Sequence, residues 1–215
     1  MKKILFLILS ILTMTMFTAC GGENNPPAQN EKSAQQTESK KSDSKILVAY
    51  YSRNGDNYEV GVIEKGNTKI VAEMIAEKTG ADMFEIKPIK NYPENYQACT
   101  ELAKEELQSN ARPEIVGNVE NLEQYDTIFL GYPIWWSDLP MVVYTFLEKN
   151  NWQGKTIIPF CTSGGDYMTG KESNIPQHAK GAKMLEGLGL KGKLCQDKPA
   201  EVQKKVNDWL VGLGY

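Results

Sequence analysis

Histidine is almost absent from this chain, and cysteine is scarce. His178 is the single histidine, so a histidine-based metal site and a Ser–His–Asp triad are both poorly supported. The four cysteines are Cys20, Cys99, Cys161 and Cys195, and their wide spacing suggests neither a zinc site nor a disulfide framework. A Cys161–Cys195 disulfide is one alternative in an oxidising compartment. The sequence therefore predicts no metal ligand and no catalytic residue.

Strong charge of either sign is also missing. The net charge is −3, so we expect no electrostatic attraction to nucleic acid and predict no nucleic-acid partner. The chain has neither a Walker A loop nor the GxGxxG fingerprint of dinucleotide-binding folds. Its 41% of hydrophobic and 24% of charged residues are typical of a globular protein, and the part after residue 44 is long enough for one domain.

The first 20 residues resemble an export signal of bacteria. Lys2 and Lys3 precede an apolar run that is short for a membrane-spanning helix. The segment Phe17–Gly21, FTACG, resembles a lipobox, in which the thiol of Cys20 accepts the lipid. The alternative is an ordinary cleaved signal with an incidental cysteine. We predict a lipoprotein signal peptide at residues 1–20, with Cys20 as the lipidation site.

Residues 21–44 resemble a flexible linker. They are rich in Gly, Asn, Pro, Gln, Ser, Lys and Glu and contain no aromatic or branched apolar residue, so burial cannot offset their ordering entropy. No twin arginine precedes the apolar run, and we expect the chain to cross the membrane unfolded. The sequence thus predicts an exported domain at residues 45–215, outside the cytoplasm and lipid-anchored to the bacterial cell envelope.

Strands and helices alternate along this domain. Ile46–Tyr51 is a nearly continuous apolar run, typical of a parallel strand buried on both faces. The other predicted strands are Asp82–Lys87, Tyr125–Gly131, Lys155–Cys161 and Leu190–Gln196. The predicted helices are Asn67–Lys78, Tyr96–Ser109, Met141–Lys149, Ile175–Gly187 and a last helix from Pro199. This alternation predicts an α/β fold with a doubly wound five-stranded parallel sheet, whose ligands bind at the carboxyl ends of the strands.

The loop after the first strand carries candidate anion ligands. Ser52 and Arg53 follow the strand directly, and Gly66, Asn67 and Thr68 open the first helix. Glycine permits close backbone approach, and the free N–H groups of a helix start attract a dianion. The alternative is a simple helix cap, because Gly, Asn and Thr are also good capping residues.

Two further loops lie at the same predicted edge. Trp135 and Trp136 are adjacent in a loop after the third strand, where their aromatic faces suit a planar ring, although one of them is expected to anchor the core. After the fourth strand, Gly164 and Gly165 allow backbone N–H groups to approach a ligand, and the alternative is a mobile turn. Anion, aromatic and amide chemistry at one sheet edge together indicate a cofactor site.

The segments ILVAYYSR, GNTKIVAEMIAEKTGADMFEIKP, YDTIFLGYPIWWSDLPMVVYTFLE and TIIPFCTSGGD resemble the bacterial flavodoxin-like FMN-binding family. The resemblance covers nearly all of the domain and implies FMN as cofactor and strand order 2-1-3-4-5, for which flavodoxin is a known example. It implies phosphate binding by Ser52, Arg53, Asn67 and Thr68, with backbone access at Gly66. It also implies ring contacts from Pro133, Ile134, Trp135 and Trp136, and polar contacts from Thr162, Ser163, Gly164, Gly165 and Asp166.

One segment departs from the family pattern. The usual phosphate loop is compact, whereas residues 55–65 are inserted here and are expected to form an exposed flap, for which a hairpin is one form. Three functions stay open. The first is an electron carrier with an unknown redox protein as partner. The second is an NAD(P)H- or quinol-linked quinone reductase assisted by Tyr167 and His178, although a solvated surface histidine is favoured. The third is a flavin-free scaffold module.

Overall fold

The computed structural model describes residues 45–165 and 167–215. The signal peptide at 1–20 with Cys20, the linker at 21–44 and Asp166 lie outside the described residues. The strands are β1 Lys45–Tyr50, β2 Gly55–Asn57, β3 Gly61–Ile63, β4 Asp82–Glu85, β5 Tyr125–Pro133, β6 Thr156–Ser163, β7 Lys183–Met184 and β8 Leu188–Lys191. The α-helices are α1 Asn67–Thr79, α2 Tyr96–Gln108, α3 Met141–Glu148, α4 Ile175–His178, α5 Gly192–Asp197 and α6 Pro199–Leu213. Short 3-10 turns at Leu122–Gln124 and Lys171–Asn174 complete the described secondary structure.

The main sheet is parallel and follows the order β4-β1-β5-β6, with β7 and β8 sharing the fifth position beside β6. This order is 2-1-3-4-5 in terms of the sheet strands, so the predicted flavodoxin-like fold is confirmed. The strand order reverses between β1 and β5, where consecutive crossovers run to opposite faces of the sheet. The loops after these two strands therefore diverge and leave a crevice at the carboxyl edge.

Helices cover the sheet on both faces. Along β1, Leu47 and Ala49 pack in a cluster that includes α3, whereas Val48 and Tyr50 pack against α1 and α6. All four residues are almost fully buried, because alternate side chains of a strand point to opposite faces and both faces are covered here. Among the described residues, no helix has the length and apolar character needed to cross a membrane.

The fifth position of the sheet differs from the sequence expectation. The predicted helix Ile175–Gly187 is wrong, because α4 covers only its first four residues and β7 lies in the remainder. Gly181 lies between them with a φ of 88°, a conformation that interrupts a right-handed helix. The predicted strand Leu190–Gln196 is correct only for its first two residues, because β8 ends at Lys191 and α5 begins at Gly192. Short apolar runs do not distinguish strand from helix, which explains both errors.

The centre of the sheet leaves no room for an added methyl group at Gly131. A Cβ there would lie 2.2 Å from Cζ of Phe160 on the neighbouring strand. We expect Gly131→Ala to lower the free energy of unfolding by about 1–3 kcal/mol through overpacking. Gly212, with no atom within 4 Å of its added Cβ, is the matched control, and Gly212→Ala should raise stability by about 0.5–1 kcal/mol. Urea unfolding measures both, and an unchanged midpoint for Gly131→Ala would contradict this packing.

Candidate functional site

The start of α1 keeps several backbone donors available. Gly66 precedes the helix without a side-chain cap of its own, and Ser52 Oγ accepts the N–H of Lys69 at 3.0 Å. Among the described residues, the N–H groups of Asn67 and Thr68 have no hydrogen-bond partner. A Cβ at Gly66 would lie 2.3 Å from Ser52 Oγ, so only glycine lets the loop after β1 pack against this helix start. The result is a cradle of unpartnered donors at the positive end of the helix.

A pair of hydroxyls joins α1 to the end of β6. Thr68 Oγ1 and Thr162 Oγ1 are 2.8 Å apart, and both residues are almost fully buried. Beside them, Asn67 Oδ1 accepts a hydrogen bond from Gln196 Nε2 at 2.8 Å, which orients the Asn67 side chain. The helix start is therefore fixed against two other elements before any ligand binds.

Arg53 is buried and engages backbone carbonyls. Its guanidinium donates to the carbonyl of Asp56 and, at 2.7 Å, to that of Pro93, with a further hydrogen bond to the Glu94 carbonyl. These bonds join the loop after β1 to the loop before α2. The side chain also lines the cavity described below, and its predicted role as a phosphate ligand stays a prediction.

The two tryptophans lie on a strained two-residue turn. Trp135 and Asp138 exchange backbone hydrogen bonds at 2.9 Å in both directions, and the residues between them, Trp136 and Ser137, have φ angles of 50° and 62°. Such turns normally use Asn and Gly, because bulky side chains disfavour positive φ. The Asp138 carboxylate accepts the hydroxyl of Tyr144 at 2.7 Å, which holds the turn on α3. Strained backbone of this kind persists only where its surroundings enforce it.

The turn directs its two indoles to different places. Trp135 is half-buried and contacts Tyr92 edge-to-face, with ring centroids 4.8 Å apart. Trp136 remains 47% exposed, donates its indole N–H to the Thr100 carbonyl at 2.9 Å, and has Lys104 Nζ 5.0 Å from its ring centroid. The interpretation of one core anchor and one ring available to a ligand thus agrees with this geometry.

The side chain of Ser163 fixes the conformation of the loop after β6. Ser163 Oγ donates to the carbonyl of Gly165 at 2.8 Å and accepts the Gly165 N–H at 3.1 Å. A Cβ on Gly164 would lie 3.0 Å from Cε1 of Tyr58, so a ring from the inserted segment rests against this glycine. The loop therefore presents its backbone beside an aromatic side chain.

These loops surround one cavity of about 260 Å³. Of the predicted site residues, those that line it are Arg53, Asn67, Pro133, Ile134, Trp135, Trp136, Thr162, Ser163 and Gly164. Ser52, Gly66 and Thr68 contact their neighbours at the start of α1 beside Asn67, and Gly165 lines a second cavity with Tyr167. The further lining residues, which were not predicted from the sequence, are Asn57, Tyr58, Tyr96, Cys99, Thr100, Ala103 and Gly192.

Helix α2 contributes a wall of the cavity. Tyr96, Cys99, Thr100 and Ala103 follow the spacing of one helical face, a signal that could have been found but that resembles an ordinary core face. Burial raises the pKa of the Cys99 thiol and of the Tyr51 hydroxyl nearby, despite the opposing effect of the Arg53 charge on both. Both groups therefore stay neutral at physiological pH. The cavity thus has backbone donors at α1 and aromatic side chains at α2 and the tryptophan turn, with the Arg53 guanidinium near Cys99.

His178 lies outside this cavity. Its Nδ1 is 2.7 Å from Glu148 Oε1, and its ring packs edge-to-face on Tyr144. His178 is thus a partly exposed residue, 26% accessible, that is held by these two partners. Cys161 and Cys195 are buried free thiols, so the alternative disulfide is not formed. Among the described residues, no cluster of His, Cys, Asp or Glu is grouped to hold a metal ion.

Comparison with known proteins gives one decisive match. The sequence model of the flavodoxin family matches residues 45–209, which is most of the chain. This chain belongs to the flavodoxin family. The resemblance inferred from the sequence is thereby confirmed. A search of curated protein sequences gives no match.

Several solved structures have a fold similar to that of this chain. A protein assigned as a flavoprotein from Bacteroides eggerthii is 29% identical, with a TM-score of 0.61, and the match covers 80% of this chain and 99% of that protein. A second such protein, from Bacteroides uniformis, is 28% identical over 76% of this chain and 98% of its own, with a TM-score of 0.59. The flavoprotein of Lactobacillus acidophilus, solved in complex with FMN, is 23% identical over 67% of this chain and 91% of its own, with a TM-score of 0.53.

The hydroxyl pair at the cavity wall can be tested by substitution. Thr68→Val leaves the Thr162 hydroxyl buried without its partner, and we expect a loss of about 1–3 kcal/mol in the free energy of unfolding. Thr162→Val is the reciprocal control. The double variant removes both polar groups at nearly constant shape, so its loss should be smaller than the sum of the two single losses. Strict additivity in urea unfolding would show that the two hydroxyls do not interact.

Proposed function

We propose that this chain binds FMN in the cavity between α1, α2 and the Trp135–Trp136 turn, and that it transfers electrons through the bound flavin. The observation that carries the proposal is the polarity of this one cavity. Unpartnered helix N–H groups lie at one end and neutral aromatic walls at the other. A molecule with a dianionic phosphate joined to a planar ring system is complementary to both ends.

The polar end suits a phosphate. The N–H groups of Asn67 and Thr68 are available at the helix start, where the helix dipole favours negative charge. Ser52 Oγ accepts from Lys69, which leaves its own hydrogen free to donate to a ligand oxygen. This donor set requires no metal ion, because the backbone dipoles of the helix start favour the negative charge.

The apolar end suits a flat ring. Trp136 presents an exposed indole on a fixed turn, and Tyr96 and Ala103 add an apolar face from α2. The loop at Ser163 and Gly164 supplies backbone groups beside this face. The related flavoprotein of Lactobacillus acidophilus is solved with FMN, which supports the same ligand here.

FMN, when bound, supplies the one- and two-electron chemistry, and the protein supplies binding and electrostatics. The neutral Cys99 thiol and the aromatic walls disfavour additional negative charge on a ring that they contact, and so lower the reduction potential of that ring. The Arg53 guanidinium, which lines the same cavity, acts in the opposite direction. The electron-transfer role needs no acid, base or nucleophile from this chain.

The phosphate end is tested by comparing two helix caps. Ser52→Ala removes the cap of α1, and Asn95→Ala removes the cap of α2, where Asn95 Oδ1 accepts the Ala98 N–H at 3.0 Å. Each substitution should cost about 1 kcal/mol of apo-protein stability. Only Ser52→Ala should also weaken FMN binding, by about tenfold or more, because Ser52 alone faces the phosphate cradle.

The measurement is the visible absorption of the purified protein after FMN is added and a desalting column is run, followed by titration of each variant. Retained flavin with a shifted spectrum supports the proposal. A folded wild-type protein that retains no FMN would overturn it. Equal FMN affinity for both cap variants would place the phosphate elsewhere.

We further propose that the protein is exported and anchored to the envelope membrane through a lipid on Cys20. The basis is the short basic and apolar segment that ends in FTACG. Cys20→Ser should abolish incorporation of labelled palmitate and shift the protein from the membrane to the soluble fraction of cells. Phe17→Leu, which keeps the cysteine, is the matched control and should remain anchored. Membrane association of Cys20→Ser without label would indicate another anchor.

A further inference from the structure

The segment inserted after β1 forms an antiparallel hairpin of β2 and β3. Asp56 pairs with Val62 at its centre, and the chain turns at Tyr58 and Glu59, where Glu59 has a φ of 61°. The expected hairpin is therefore present. Its role is not explained by the fold, because β2 and β3 form a sheet of their own apart from the main sheet.

The base of the hairpin is fixed to the loop before α2. Arg53 donates to the carbonyls of Asp56, Pro93 and Glu94, and the N–H of Asp56 donates to the Glu94 carbonyl at 3.0 Å. A buried guanidinium with three carbonyl partners is a strong anchor. The hairpin thus leaves the sheet edge in a defined direction.

The tip of the hairpin contacts the start of α2 and the loop after β6. The Tyr58 ring lies 6.1 Å from the ring of Tyr96 on α2 and rests against Gly164. Glu59 Oε2 is 3.5 Å from Nζ of Lys191 at the end of β8, but both side chains are substantially exposed, so this ion pair contributes little. Tyr58 is therefore the principal contact of the tip.

Tyr58 also separates two cavities. One is the cavity of about 260 Å³ described above, and the other, of about 620 Å³, opens beside Gly165 and Tyr167. The residues that line both are Tyr58, Ile134, Ser163 and Gly164. The Tyr58 ring is still 59% exposed, which is a large aromatic surface to leave at the mouth of a ligand site. A ligand at this mouth would cover part of that surface.

We propose that the hairpin Gly55–Ile63 is part of the cofactor site, and that Tyr58 forms an outer wall that contacts bound FMN and slows its release. This inference rests on the proposed FMN binding. The Tyr58 ring slows release in two ways: it adds contact area with FMN, and it closes the groove between the two cavities. Loss of such contacts changes the dissociation rate more than the association rate.

The test uses Tyr58→Ala in the full chain, with the FMN dissociation rate followed by flavin fluorescence after dilution. Removal of the ring should raise this rate by about tenfold. Tyr58→Phe keeps the ring and should dissociate at the wild-type rate. Val62→Ala, on the same hairpin but 82% exposed and outside both cavity walls, is a second control that should leave the rate unchanged.

Gly164 supplies a double-mutant cycle that identifies the contact. An added Cβ at Gly164 would press on the Tyr58 ring, so Gly164→Ala should speed FMN release in the wild-type background. In the Tyr58→Ala background the same substitution should have little effect, because the ring it displaces is gone. An equal effect in both backgrounds would show that Gly164 acts on FMN directly and would overturn the role of Tyr58 as the contact.

The outcomes separate this inference from the function on which it rests. Absence of FMN binding in the wild-type protein would refute the proposed function itself. Tight FMN binding with an unchanged or slower dissociation rate in Tyr58→Ala would refute the hairpin wall alone. Urea unfolding of the apo forms, expected to be alike for Tyr58→Ala and Tyr58→Phe within about 1 kcal/mol, excludes a general loss of fold as the cause.

Discussion

The candidate site depends on how the start of α1 is fixed at the switch point of the sheet. Ser52 accepts the Lys69 N–H, Thr68 contacts Thr162, and Gly66 has no space for a side chain. These contacts satisfy the N–H of Lys69 with a hydroxyl and leave the N–H groups of Asn67 and Thr68 available. A helix start that was fully capped would be more stable but would offer nothing to an anion. The arrangement therefore exchanges local stability for a preformed ligand site.

The same reasoning applies to the tryptophan turn. Trp136 adopts a left-handed conformation that is unfavourable for a bulky residue. The contacts that compensate are one distant in sequence, to Thr100 of α2, and one nearby, between Asp138 of the turn and Tyr144 of α3. The strained turn, α2 and α3 are therefore coupled, and the exposed indole is held in one place. A fixed aromatic face loses less conformational entropy on binding than a mobile one.

Much of the fold was predictable, because the strands of a covered parallel sheet are apolar along their whole length and the loops at their carboxyl ends carry unusual side chains. For the same reason, Asn67, Trp136 and Gly164 could be predicted to lie at one edge of the sheet, where they line the cavity. The orientation of the Arg53 side chain could not be predicted, since its carbonyl partners at Pro93 and Glu94 are about forty residues away. The α2 wall was missed because a helix face of tyrosine, cysteine and alanine is the same whether it packs on a core or lines a cavity.

The two proposals, export and a hairpin over the flavin, reinforce each other physically. If the chain crosses the membrane unfolded, as proposed, it carries no cofactor with it, and FMN enters the site after folding outside the cytoplasm. A nucleotide that then escapes is diluted into the surrounding volume, and occupancy depends on the ratio of rebinding to release. The inserted hairpin adds the Tyr58 ring, which rests against Gly164, to the wall of the site and so lowers the release rate, which is a direct physical reason for this segment to lie where it does.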